Sequence, residues 1–193
     1  MAETRSLRDL TRETVRELLA DRALELFDER GFDNATVDDI AAQAGISTRS
    51  FFRYFQSKED VVIDDPIPHG LLVKRALLER PAKESPWAAL RAAFQPLVEI
   101  IEDDPPKFLR VARVMLGAPS LRARNLEKHG VWAAMLVPII AERIAGDPEL
   151  REVAAGALFY SALASFDVAL GAWTERDGDV PLSTLVDAAF QMD

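Results

Sequence analysis

The densest chemistry in the sequence lies between residues 36 and 60, TVDDIAAQAGISTRSFFRYFQSKED. Within it Thr36, Ser47, Thr48, Arg49, Ser50, Arg53, Tyr54 and Lys58 supply hydroxyls, two guanidiniums, a phenol and an ammonium. Nothing there pairs a nucleophile with a base. The groups are donors and acceptors of the kind that hold phosphate oxygens and reach base edges in duplex DNA. The stretch from Ala44 to Lys58 contains Arg49, Arg53 and Lys58 and no acid. An arginine there can bond O6 and N7 of guanine together.

Two short helices are needed to present these groups. Thr36 is a suitable N-cap for a helix that turns Val37, Ile40 and Ala41 inward, and Asp38 and Asp39 suit its positive end. Gly45 closes that helix, Ile46 plugs the turn, and Ser47 caps a second helix running through Phe55. Small residues at Ala41, Ala42 and Ala44 let the two approach closely. Phe51 and Phe55, four apart, face one core and leave Ser47, Thr48, Arg49, Ser50, Arg53 and Tyr54 on the other faces and at the N-terminal end. Two helices of eight or nine residues joined by a glycine-containing turn form a helix-turn-helix, whose second helix meets base edges with its N-terminal residues. Each group also has a plain structural use. Thr36 and Ser47 would be favoured as caps in any protein, Phe51 and Phe55 read as core, and Arg53 fits a solvated surface equally well.

A preceding helix from Thr11 to Arg30 carries Val15, Leu18, Leu19, Ala23, Leu26 and Phe27 at spacings of three and four, one face of an amphipathic helix ended by Gly31. Ser57 caps a fourth helix that begins Lys58-Glu59-Asp60 and runs to about Asp64. Pro66 and Pro68 break the pattern, which places a boundary between a domain of residues 1–65 and one of residues 66–193. Beyond it Ser-Pro and Asp-Pro pairs open helices, since proline is accepted in a first turn. The spacing predicts helices from Ser85-Pro86 to Glu102, from Asp104 to Leu116, from Ser120 to Ala145 with a kink at Pro138, from Asp147-Pro148 to Trp173, and from Pro181 or Leu182 to Phe190. The fold class is therefore all-α: an N-terminal three-helix helix-turn-helix domain followed by a C-terminal helical bundle. Apolar residues of the bundle, among them Trp87, Phe94, Trp132, Phe159, Phe166 and Trp173, read first as core or dimer interface.

Composition narrows the function classes. Of 193 residues 49% are hydrophobic and 28% charged, and no apolar run approaches the roughly 20 residues of a membrane-spanning helix. The first residues, with Glu3, Arg5, Arg8 and Asp9, lack the apolar segment of a secretory signal, and there is no cysteine for disulfides. A cytoplasmic protein without membrane partners is expected. Enzyme motifs are missing: two histidines, His69 and His129, stand sixty residues apart, and no glycine-rich phosphate loop or G-x-S-x-G elbow occurs. Paired acids such as Asp64-Asp65 and Asp103-Asp104 precede prolines, where capping explains them. No metal and no cofactor are expected. The net charge of −9 argues against a nonspecific nucleic-acid coat, which would be basic. Residues 1–60 hold nine basic and thirteen acidic residues, so any DNA-binding face is a small island in an acidic surface.

The pattern T-V-x-D-I-A-x-x-A-G-[IV]-S followed by F-F-R-Y-F-x-S-K-E, preceded by A-L-E-L-F-x-E-R-G-F, resembles the TetR (tetracycline-repressor-like) family over about residues 15–62. The resemblance implies a ligand-responsive transcriptional regulator, usually a homodimeric repressor on a near-palindromic double-stranded operator. It also implies that Thr36, Tyr54 and Lys58 hold backbone phosphates while Ser47 to Ser50 lie at base edges. Two positions depart from it: Phe52 stands where many members carry tyrosine, and Arg49 where many carry a small residue. The last two helices, around Leu158 to Leu170 and Leu182 to Phe190, correspond to the pair that forms a four-helix dimer interface in relatives. The segment from Pro119 to Trp132, PSLRARNLEKHGVW, resembles a C-terminal domain described as acyl-CoA-like ligand-binding. That implies an apolar or acyl-thioester effector, with Arg113, Arg122, Asn125 and His129 as polar groups and Trp132 and Phe166 as lining. Two plainer readings stand beside these, an exposed His129 near a helix bend and an Asp167 buried against an arginine. The rival to operator binding is an interaction module of the same fold.

Overall fold

The computed structural model describes residues 7–63 and 66–191, with side chains from Thr11 onward. Glu3, Arg5 and the Asp64-Asp65 pair lie outside the described residues, as does the expected end of the fourth helix. The described chain is helical and contains no strand: α1 (Leu7–Arg30), α2 (Val37–Gln43), α3 (Thr48–Phe51), α4 (Glu59–Val62), α5 (Pro66–Leu78), α6 (Pro86–Ala93), α7 (Gln95–Asp103), α8 (Pro105–Gly117), α9 (Pro119–Ala141), α10 (Pro148–Glu175) and α11 (Leu182–Phe190). It divides into two compact units, Met1–Asp64 with Arg113–Arg122, and Asp65–Ala112 with Ala123–Asp193. The stretch from Arg113 to Arg122 thus groups with the N-terminal residues rather than with the rest of 66–193.

In the first unit α1 turns Leu19, Ala23, Leu24, Leu26 and Phe27 into a core completed by Ile40 and Ala41 of α2, by Phe51 of α3, by Phe55, and by Val61 and Val62 of α4. Leu18, expected on that apolar face, is 57% exposed, one position off the buried stripe. The turn after α2 closes as a Schellman motif. Ile46 N–H donates to Ala41 O at 2.9 Å and Gly45 N–H to Ala42 O at 3.1 Å. Gly45 sits at φ +69, a left-handed conformation that a β-carbon disfavours. The following helix is shorter than expected. It is α-helical only from Thr48 to Phe51, and i→i+3 bonds from Arg53 to Ser50 O and from Tyr54 to Phe51 O carry it on as a turn.

In the second unit Pro96 redraws an expected helix. Pro66 and Pro68, which mark the expected break, occupy the first turn of α5, where no amide donor is required. Pro96 has no amide hydrogen and its ring clashes with the carbonyl four residues earlier, so the helix expected from Ser85 to Glu102 is two, α6 and α7, meeting at Phe94. The core is shared by Val73 and Leu77 of α5, Leu90 of α6, Phe94, Val98 of α7, Trp132, Leu136 and Ile140 of α9, Phe159, Phe166 and Trp173 of α10, and Val186 and Phe190 of α11. Gly70 lets α5 lie close on α9: a β-carbon there would stand 2.9 Å from the Trp132 ring and closer still to Met135. Trp132 is held where it is by its indole, which donates to Pro66 O at 2.7 Å. Arg143 donates to the carbonyls of Leu77, Arg80 and Pro81, satisfying the C-terminal end of α5. Contrary to the expectation from apolar runs, α10 is long and apolar enough by length and composition to cross a membrane. Its buried apolar residues from Ala155 to Trp173 nevertheless line this core.

Candidate nucleic-acid interface and effector site

The N-terminal site is built around caps. Thr36 Oγ1 accepts from Asp39 N–H at 3.2 Å, and the Asp39 carboxylate accepts from Thr36 N–H at 3.0 Å, a reciprocal capping box. The Thr36 hydroxyl also donates to Asp39 at 2.5 Å. That side-chain bond, then the backbone bond, then Arg30 at 3.5 Å, hold the Asp39 carboxyl below its ordinary pKa. Ser47 caps α3 by accepting from Ser50 N–H at 3.2 Å, and the two serine hydroxyls lie 2.9 Å apart. Thr48 donates to Asp38 Oδ1 at 2.6 Å, tying α3 to α2. Ser57 accepts from Asp60 N–H while Asp60 accepts from Gln56 and Ser57, so the capping expected of Ser57 is present although α4 begins at Glu59.

Of the residues expected at base edges, Ser47, Thr48 and Ser50 therefore have their hydroxyls engaged within the unit. Arg49 is exposed and has no partner among the described residues; Arg53 and Gln56 are also exposed. Phe52 between them is 53% exposed, its ring set edge-on to buried Phe51 at 5.6 Å. Tyr54 is half-buried. Lys58 is turned inward: its ammonium donates to Phe32 O at 2.8 Å and Ala35 O at 3.1 Å and lies 4.4 Å from the Phe32 ring centre. Sequence reasoning missed the Asp38–Thr48 tie. In the sequence the helix end alone accounts for the acid at position 38, and nothing local signals a partner ten residues on.

The residues expected to form an effector site divide. Arg113 and Arg122 are exposed and belong to the first unit, where Arg122 donates to Leu116 O at 3.0 Å. Asn125, His129, Trp132 and Phe166 belong to the second unit and are buried. Phe166 stacks on Phe94 at 5.3 Å, and the Lys128 ammonium lies 5.1 Å from the Trp132 ring centre. Asn125 Nδ2 lies 3.2 Å from His129 Nε2, and Asn125 Oδ1 has no hydrogen-bond partner among the described residues. His129 is buried rather than exposed at a bend. Burial first, then Lys128, push its pKa down to about 4. Asp167 is not buried against an arginine. It is part-exposed, 3.7 Å from His129 Nε2, and desolvation raises it to about 6 against a smaller opposing effect of Lys128. The acid ionises above the pH at which the imidazole discharges, so at no pH are both predominantly charged. Burial favours the neutral form of both groups, which opposes an ion pair between them.

Comparison with known proteins places this geometry. Residues 19–64 match the tetR family of bacterial regulatory proteins, and residues 84–192, more than half the chain, match the MftR C-terminal domain. The chain belongs to the TetR family. It is 29% identical over 183 residues to a mycofactocin biosynthesis transcriptional regulator, MftR, of Mycobacterium tuberculosis, covering 94% of this chain and 90% of that one. It is 32% identical over 135 residues to the HTH-type transcriptional regulator TcmR of Streptomyces glaucescens, covering 67% and 60%. Among solved structures it shares its fold with FadR of Thermus thermophilus, a TetR-family repressor in complex with lauroyl-CoA, at a TM-score of 0.53 and 24% identity, covering 91% of both chains. As a TetR-family member it is a DNA-binding transcription regulator with a ligand-binding C-terminal domain.

Proposed function

We propose that the chain acts in the cytoplasm as a homodimeric repressor released from a near-palindromic operator by an apolar or acyl-thioester effector, without catalysis and without a cofactor. The observation that carries operator reading is the exposed side of α3 and its following turn. Arg49 and Arg53 are exposed there while the neighbouring hydroxyls are consumed in holding the helix-turn-helix together. Arg49 is assigned to a guanine and Arg53 and Tyr54 to flanking phosphates; Thr36 and Lys58 act by fixing the helices that carry them. The dimer is assigned to α10 and α11. Leu150, Val153, Tyr160 and Val168 are exposed along one side of α10 at separations of three, seven and eight residues, an apolar stripe suited to a twin. Such a dimer sets its recognition helices about 34–36 Å apart, one duplex turn or a multiple.

The effector is assigned to the second unit, where Asn125 and His129 are buried polar groups amid apolar residues. The lauroyl-CoA complex of a protein of the same fold supports the acyl class. An effector that favours a spacing of the recognition helices unfit for the groove would shift DNA affinity by about 5- to 150-fold.

Selection of bound duplexes from a random library at near-physiological salt tests the reading. A palindrome with half-sites one turn apart is expected. A folded protein that recovers no motif would overturn it, and an interaction module would take its place. On the recovered duplex, long- and short-chain acyl-CoA are then titrated. No change in DNA affinity or melting temperature would remove the effector assignment alone.

A further inference from the structure

Phe52 is the residue the operator reading leaves unused. It is 53% exposed on the side of the recognition segment that carries Arg49 and Arg53, and its ring is braced edge-on at 85° by Phe51, which is fully buried. A phenyl ring carries no donor or acceptor, so it cannot hold a phosphate oxygen or bond a base edge. What a base pair offers such a ring in the major groove is the C5-methyl of thymine. Three residues of helix advance about 4.5 Å, against about 3.4 Å between successive base pairs of one strand. A ring three positions after Arg49 therefore falls one to two base pairs from the base that Arg49 reads.

We propose that Phe52 is a specificity-determining residue that packs on the methyl group of a thymine next to, or one removed from, the guanine held by Arg49. The inference rests on the operator-binding reading and adds a second base to it. The acidic surroundings sharpen the point. With few cations to supply nonspecific affinity, an apolar contact that excludes water between two guanidiniums adds binding energy independent of salt.

The test uses the full chain and the selected duplex, with each thymine replaced in turn by deoxyuridine, which lacks only the methyl. Dissociation constants come from fluorescence anisotropy at fixed salt. One thymine per half-site is expected to matter, each missing methyl weakening binding about fourfold and the pair about fifteenfold. In Phe52→Ala the same replacement is expected to change nothing measurable, whereas Phe52→Tyr, which keeps the ring, retains the effect. A flat scan in the wild-type protein, a motif without thymine in the expected register, or an equal loss in Phe52→Ala would each overturn the proposal while leaving operator binding intact. Recovery of no motif would overturn both.

Discussion

Replacing Lys58 by methionine separates an internal tie from a phosphate ligand. The ammonium bonds two carbonyls in the turn between α1 and α2, those of Phe32 and Ala35, at 2.8 and 3.1 Å, and faces the Phe32 ring at 4.4 Å. A charge-assisted bond whose loss strands a carbonyl is worth about 1.5–3 kcal/mol when buried. Lys58 is half-buried and water can reach the stranded groups, so the two bonds together are worth about 2 kcal/mol, no more than one such bond when fully buried. The ring contact adds roughly 0.5–1 kcal/mol. Lys58→Met should therefore lower the unfolding free energy of the N-terminal unit by about 2–3 kcal/mol. Urea unfolding followed by circular dichroism, with the midpoint falling at unchanged slope, measures this directly. Operator affinity should fall in parallel, because the same turn positions α2, yet the salt dependence of binding should keep its slope. A phosphate ligand behaves oppositely: its loss leaves stability alone and reduces the slope by about 0.9. That second pattern would refute the internal-tie argument.

Arg49→Ala should lose about 1–3 kcal/mol of discrimination at one base pair of each half-site, read by base-resolved binding; uniform weakening across sequences would make Arg49 a phosphate clamp. Thr36→Ala removes the capping box of α2 and should lower stability by about 1 kcal/mol, measured by the same urea titration. Gly70→Ala forces a β-carbon against Trp132, which is fixed by its bond to Pro66, and should destabilise the second unit by about 1–3 kcal/mol in thermal unfolding. The pH dependence of stability depends on His129 and Asp167. His129, with its folded pKa lowered to about 4, contributes stability above its unfolded value that is lost as pH falls through 4. Asp167, raised to about 6, contributes stability at low pH that is lost as pH rises through 6, a part-exposed group whose effect water tempers. Between about pH 4 and 6 the two trends oppose each other. Asp167→Asn should therefore lose stability more steeply on acidification than wild type, and parallel profiles would show that the two groups do not titrate as described.

Helix starts were legible because their chemistry is local: Thr36, Ser47, Ser85 and Asp147 each accept from an amide two or three residues on. The two roles of proline made the division at Pro96 harder to read than the break at Pro66. Proline is neutral in a first turn and disruptive later, so its meaning depends on where a helix begins, which Pro66 and Pro96 themselves decide. Buried and exposed polar groups were harder. Arg113, Arg122, Asn125 and His129 look alike in sequence, yet the first two lie on the surface and the last two in a core, a division set by tertiary packing. The inward turn of Lys58 belongs with these, since its carbonyl partners lie 23 and 26 residues away.

The engagement of the hydroxyls of Thr36, Ser47, Thr48 and Ser50 inside the helix-turn-helix bears on how such a regulator diverges. On the proposed reading, residues that keep the fold and exposed residues that face a duplex are separate sets, with Arg49, Phe52 and Arg53 in the second. Mutational drift at those positions can change operator preference with little loss of stability, so a duplicated copy can acquire a new regulon in a few substitutions. A library randomised there and held constant at the caps would consist mainly of folded proteins.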